Sequence, residues 1–322
     1  IVSDIVKEEN KTIETGNGPE WPNHKISIYG AGKDHDVASA AMKIYNSRFN
    51  ADITLSRFKE GEESELEKEA WEKEVIEDLF AATNHFFKAY GLSPLPFEQN
   101  SVHIVSNNMM KKIMRPLCPY QARLYRNDWY TFRHMAYILR QGGKGVWNDK
   151  VLSVMLVEAL AAMIAYTNIE IFADGRFFVV EGWSETSPKK SSYTLVQEAI
   201  QELITQMILN RYALLHTNYA QDAYYFTDGG LAAAFLIFLI NRKEPENAEG
   251  RSFLLSQLVK SYITGDQSWF QVLEIDEEER AIIENLEVSD KDLRMKLETR
   301  WDEFYIFTKC WKHYIPDPPK TF

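Results

Sequence analysis

Three glutamates carry the chemistry this chain could offer: Glu158, Glu198 and Glu202. Glu158 is the only charged residue in the stretch from Val151 to Tyr166 (VLSVMLVEALAAMIAY). A helix that is apolar on every side is a buried helix. A lone buried carboxylate is costly, so Glu158 needs a partner, a cavity or a proton. The plainer reading is a core glutamate satisfied by a neighbouring arginine or hydroxyl. Glu198 and Glu202 stand one turn apart in TLVQEAIQELITQMILNRYALL, so they share a face. They flank the apolar stripe Val196, Ala199, Ile200, Leu203 and Met207. Their plainer reading is a solvated helix edge. Carboxylates without imidazoles favour a hard cation such as Ca²⁺ or Mg²⁺, which takes oxygen ligands.

The other reactive side chains form no motif. The histidines are His24, His35, His85, His103, His134, His216 and His313. No two have the helical spacing that would aim both imidazoles at one metal. Only a distant pair converging on Glu198 could rebuild such a site. The two cysteines, Cys118 and Cys310, exclude a disulfide framework and a thiolate metal site, though a single bridge stays open. Gly30-Ala31-Gly32-Lys33-Asp34 lacks the spacing and hydroxyl of a phosphate loop. No nucleophile elbow of the G-x-S-x-G kind is present.

Composition narrows the partners. The net charge of -11 argues against nucleic acid, because an acidic chain repels phosphate backbones. The longest apolar run, Leu231 to Ile240, is about half the ~18 to 20 residues a membrane span requires, so it predicts a buried helix. With 45% hydrophobic and 13% aromatic residues the chain can fill a core, so a soluble folded unit is expected. The compartment is not specified. The chain opens on Ile1 instead of Met, as a trimmed product would.

These side chains need elements to hold them. Residues 1–25, with Gly16, Gly18, Pro19 and Pro22, predict an extended arm. Lys25 to Tyr29 alternates like a strand, 37–49 has helical spacing, and 51–55 could add a strand. A long helix is predicted over 59–90, with a Ser64/Glu67 capping box and a stop at Gly91 and Pro94. Its acidic first half, Glu60 to Glu77, predicts a solvated face. A strand follows at Val102 to Val105, then an extended aromatic stretch over 120–140. Helices are expected near 149–166, 195–214, 229–241, 252–263, 277–286 and 290–308. A strand pair fills 169–183, and Thr194 with Gln197 predicts a second capping box.

An apolar helix with a central glutamate, then a strand pair, then a helix opening Gln197-Glu198-Ala199-Ile200-Gln201-Glu202, resembles the zincin-like metallopeptidases of the gluzincin type. Tyr90 to Pro96 leading into Val102 to Val105 is similar to the segment before their sheet. Ser261 to Asp266 is similar to a turn in their helical C-terminal part. The resemblance covers roughly residues 70 to 275.

It implies an α+β, zincin-like fold. The domain layout would be an arm over 1–25, a core over 26–215 with a small mixed sheet and the active-site helices, and a helical C-terminal subdomain over 216–322. It also exposes a departure. Over the HExxH motif of that family this chain reads Val157-Glu158-Ala159-Leu160-Ala161. Glu158 stands at the general-base position and Glu198 at the third zinc ligand, but Val157 and Ala161 replace both histidines. Catalytic zinc needs three protein ligands and an open position for water, so zinc is expected to be absent. The expected protein is a catalytically inactive pseudoenzyme, with Glu158, Glu198 and Glu202 lining any surviving cleft. A structural or assembly subunit using the acidic helix 59–78, and a hydrolase with non-standard metal ligands, remain as alternatives.

Overall fold

The computed structural model describes residues 24–29, 65–92, 94–95, 98–110, 129–132, 135–140, 147–172, 177–186, 191–215, 228–266, 268–284, 295, 297 and 299–317. The segments 37–49 and 51–55 and the tail from Pro318 lie outside these residues. So does most of the N-terminal arm.

Among the described residues the chain runs through β1 (His24–Tyr29), α1 (Ala70–Ala89), β2 (Val102–Val105), β3 (Trp129–Phe132), β4 (Met135–Leu139), α2 (Asp149–Met163), β5 (Thr167–Phe172), β6 (Phe177–Glu181), α3 (Thr194–Leu215) and α4 (Asp228–Lys243). Short strands β7 (Ser184–Thr186) and β8 (Ser191–Ser192) precede α3. Helices α5 (Ala248–Thr264), α6 (Trp269–Val272), α7 (Glu277–Glu284) and α8 (Phe304–Phe307) follow α4, and a 3₁₀ turn spans Trp311–Tyr314.

The architecture is mostly helical with two sheets, which bears out the α+β class. One sheet has order β2-β4-β3, with β2 parallel and β3 antiparallel to β4. The other has order β1-β5-β6-β7-β8, with β1 parallel to β5 and the rest antiparallel. The sequence predicted one small mixed sheet. The strand at Lys25–Tyr29 instead joins the pair that follows α2, in the register Ile26 to Ile169.

Helix α1 starts later than predicted. Residues 59–64 lie outside the described residues, and Glu67 precedes the helix instead of capping it. The chain there is spoken for: Leu66 N donates to Ile104 O at 2.7 Å, and Glu65 bridges to Val105. The cap falls at Glu69, whose N–H donates to the Glu72 carboxylate at 2.7 Å. The helix then buries Val75, Ile76, Leu79, Phe80, Phe86 and Phe87, one stripe at helical spacing. Gly91, at φ 68, ends it in the left-handed region that glycine adopts without strain.

Glu72 also corrects the solvated-face reading of the acidic run. It is 0% exposed. Arg140, just past β4, clamps it with two donors: Nε reaches Oε1 at 2.9 Å and Nη2 reaches Oε2. Trp147 Nε1 donates to Oε1 at 2.8 Å, and the same Arg140 Nη2 donates to Glu67 O at 2.8 Å. A bidentate, charge-assisted set of this kind satisfies the buried carboxylate. It also ties the start of α1 to the end of β4 and to the approach to α2.

The helices of the second half lie within a few residues of their predicted ranges where a cap was legible. Asn148 caps α2 by accepting from Val151 N, and Asn247 caps α5 by accepting from Gly250 N. The helix predicted over 290–308 is broken at Trp301. That ring packs on Phe235 and Phe238 of α4, and α8 begins after it. The apolar core is continuous from Val75 to Trp311, and Leu231 to Ile240 lies inside it.

Glu72→Ala should lower the unfolding free energy by about 3–5 kcal/mol, because it strands Arg140 and Trp147 Nε1. Joint replacement of Glu72 by Leu and Arg140 by Met should cost much less. Urea denaturation midpoints measure both.

Candidate functional site

The predicted site rests on the contact between α2 and α3. Helix α2 packs against α1, β3, β4 and α3, and leaves one partly exposed edge, Val151, Val154, Glu158 and Ala162. The packing on its other faces explains most of its apolar composition. Val157 and Ala161 are both 0% exposed. They sit in hydrocarbon, not on the wall of an open cleft.

Glu158, expected to be buried, is half-buried. It sits at the border of α2, and Gln201 Nε2 approaches its backbone carbonyl at 3.4 Å. Its carboxylate acts on Glu202 across the seam. Glu198 is also half-buried, one turn before Glu202 on α3.

Glu202 is not the solvated edge residue that spacing suggested. Burial pushes its carboxyl up to about 7, and the like charge of Glu158 adds to the rise. Gln206 Nε2, which donates to Oε1 at 3.0 Å, and the Lys312 ammonium oppose it. A carboxyl titrating near neutrality can hold or release a proton, so the seam is an acid pair with a nearby cation. One turn further on, Thr205 Oγ1 is buried and has no hydrogen-bond partner among the described residues.

Beside this pair lies a polar hub that the sequence did not announce. Tyr262 of α5 donates its hydroxyl to Ala161 O at 2.9 Å. Gln197 Nε2 reaches that hydroxyl at 3.4 Å, while Gln197 Oε1 accepts from Trp183 N at 2.9 Å. Trp183 Nε1 donates to Ser261 Oγ at 2.9 Å. The Gln197 side chain of the predicted Thr194/Gln197 capping box is engaged elsewhere, and the Thr194 side chain lies outside the described residues. Thr194 is the first helical residue, Gln197 N donates to Tyr193 O, and the Gln197 side chain serves the hub. Two glycines let the chains approach. Gly182 has φ 54, and a Cβ there would strike Gln197 Oε1 and the Tyr262 ring. Gly265 has φ 73, and a Cβ there would strike the Tyr166 ring. Tyr262 and Gly265 belong to the turn segment quoted from the sequence; Gln206 and Lys312 had no signal there.

The zinc that the resemblance implies does not fit these residues. Val157 and Ala161 offer no lone pair, and catalytic zinc needs three protein donors. Among the described residues no group of three or more His, Cys, Asp or Glu side chains converges. His103 is engaged by Glu65 at 3.0 Å and stacks on Tyr137. His85 and His313 are exposed, while His35, His134 and His216 lie outside the described residues. Cys310 is a free thiol and Cys118 lies outside the described residues. A surface depression of about 340 Å³ is lined by Glu65, Leu66, Glu67, Lys68 and Lys73, none of them on α2 or α3. No helix among the described residues is long and apolar enough to cross a membrane. Compared with known protein families, characterised proteins and solved structures, the chain matches none.

Tyr262→Phe should cost about 1–3 kcal/mol, since it leaves the buried Ala161 carbonyl without its donor. Thermal or urea unfolding reads this. Glu202 supplies a second test. The folded chain keeps that proton to about 7, whereas a solvated glutamate loses it near 4.5. The folded state therefore binds more protons between those values, and stability falls as pH rises through them. The loss should reach about 2 kcal/mol once partial solvent screening is allowed for. Glu202→Gln should remove that part of the pH dependence in a series of melts from about pH 5 to about pH 8.

Proposed function

We propose that this chain is a catalytically inactive, peptidase-like protein: a degenerate zincin-like unit that acts as a binding or scaffold protein. One observation carries the reading. The two positions that would hold imidazoles on α2 are Val157 and Ala161, and both are wholly buried. Hydrocarbon cannot ligate zinc. Without a metal to lower the pKa of its bound water towards ~7, Glu158 has no activated nucleophile to deprotonate.

The order of elements supports the zincin-like part of the reading. A long helix, a three-stranded mixed sheet, an apolar helix with a central glutamate, a strand pair and a second glutamate-bearing helix follow one another. The two glutamate helices pack together, as the resemblance requires. The partner is a protein or peptide.

Exposed apolar side chains favour a second reading, a structural subunit of a larger assembly. Ile306 is 68% exposed, Tyr305 43% and Tyr314 48%, all near the C-terminal turn. A hydrolase with non-standard ligands would have to bring in donors from outside the described residues.

Metal analysis of the purified protein tests the main reading. The expected result is far less than one zinc per chain, with no peptide hydrolysis and no effect of chelation. Stoichiometric zinc, with hydrolysis that a chelator abolishes, would overturn it.

A further inference from the structure

The chain enters α3 through a strained corner. Tyr193, between β8 and α3, has φ 56. That left-handed conformation is rare for a bulky side chain and persists only where the surroundings hold it. Among the described residues, three contacts do so. Tyr193 N donates at 3.0 Å to the carbonyl of Glu284, the last residue of α7. The buried Tyr193 ring packs edge-on against Trp183, with centroids 6.3 Å apart, and tilted against Phe270 of α6 at 5.7 Å. The Tyr193 carbonyl then accepts from Gln197 N at 2.9 Å and so opens the first turn of α3.

Helix α7 is seated mainly by charge. It has eight residues, below the ~12 to 15 that let a helix persist alone in water. Of its side chains, Glu279 and Ile283 are buried. Glu279 Oε1 accepts from Arg242 Nη1 of α4 at 2.9 Å. Arg300 pairs with Glu278 and, at 3.3 Å, with Asp276 just before the helix. Both guanidiniums lie over the Trp301 ring, Arg242 at 5.5 Å and Arg300 at 4.9 Å from its centroid. Arg280 lies over Phe270 at 5.1 Å. A segment with few buried apolar contacts opens locally, well before the core does.

We infer that α7 is a charge-fastened clip on the Tyr193 corner. While α7 is seated, Glu284 O holds the corner in its strained form and sets the first turn of α3, which carries Gln197 and Glu198. When α7 detaches, Tyr193 loses that acceptor, its backbone is free to leave the left-handed region, and the turn loosens. Gln197 Oε1 is the acceptor for Trp183 N, so the clip governs the grip of α3 on the β6–β7 turn. It does so whether or not the fold is a degenerate peptidase.

The test follows amide exchange in the full chain at fixed pH. Arg300→Met removes two of the ion pairs at the start of α7. Exchange of the Tyr193 amide and of the α7 amides should quicken together by about 3- to 10-fold, while the buried α4 amides keep their rates. Added salt should quicken the same amides in the unmodified chain and do little more in the variant. Arg300→Lys should restore part of the protection. Tyr193→Gly and Tyr193→Ala read the strain, since both lose the same ring and differ in backbone freedom. The glycine variant should be the more stable, by about 3-fold or more in the unfolding constant, against the usual order of the two residues. A Tyr193 amide that keeps its rate while the α7 amides quicken would overturn the clip, as would equal quickening throughout α4. An alanine variant at least as stable as the glycine variant would remove the strained corner on which the clip acts. Zinc content enters none of these readouts, so they and the metal analysis are read separately.

Discussion

The structure depends on one constraint: α2 is packed on all but one edge, and most of what packs on it is hydrocarbon. Helix α1, the mixed sheet and α3 all press on it. Leu152, Leu156, Val157, Ala159, Leu160 and Ala161 are each 0% exposed. Each fully buried large apolar side chain is worth about 1.5–3 kcal/mol, so this seam outweighs any single polar contact nearby. A metal would need polar donors and water in the same place. The two demands are incompatible at Val157 and Ala161, and apolar packing holds the position. Glu158 lies at the half-buried border of the helix.

Non-directional burial does not by itself fix how such helices sit. Two polar clusters supply the direction. Glu72, Arg140 and Trp147 lock the start of α1 to the sheet and to the entrance of α2. Tyr262, Gln197, Trp183 and Ser261 lock the far end of α2 to α3, to the β6–β7 turn and to α5. Each unmade bond in these clusters would leave a buried donor or acceptor stranded, which penalises alternative packings. The acid pair at the α2–α3 border lies between these two anchors.

What the sequence made legible was local. Helices α2, α4 and α5 were readable because apolar periodicity and cap residues such as Asn148 agree there. Strand pair β5–β6 was readable from its Phe- and Val-rich run. The misses were non-local. Nothing around Glu72 says that Arg140, 68 residues on, will neutralise it. The start of α1 was misplaced because Leu66 spends its backbone on β2, a contact that no window of a dozen residues contains. Glu202 read as solvated because the burial and the neighbouring charges that perturb it come from other elements. Of the candidate residues, position and element type were predictable for Glu158, Glu198 and Glu202. The electrostatics of Glu202 were not, since they depend first on its burial in the fold.

The pairing of Leu66 with Ile104 has a consequence beyond the placement of α1. Strand β2 uses one side for β4, and its other side would offer bare amides and carbonyls to any passing chain. An unprotected strand border is a template for fibrous stacking. Here the polypeptide folds back and takes up part of that border, at Ile104 and Val105, with its own backbone, and Glu65 and Lys68 add charge along the same line. Two molecules meeting along this side of the sheet find the ladder at Ile104 and Val105 already taken.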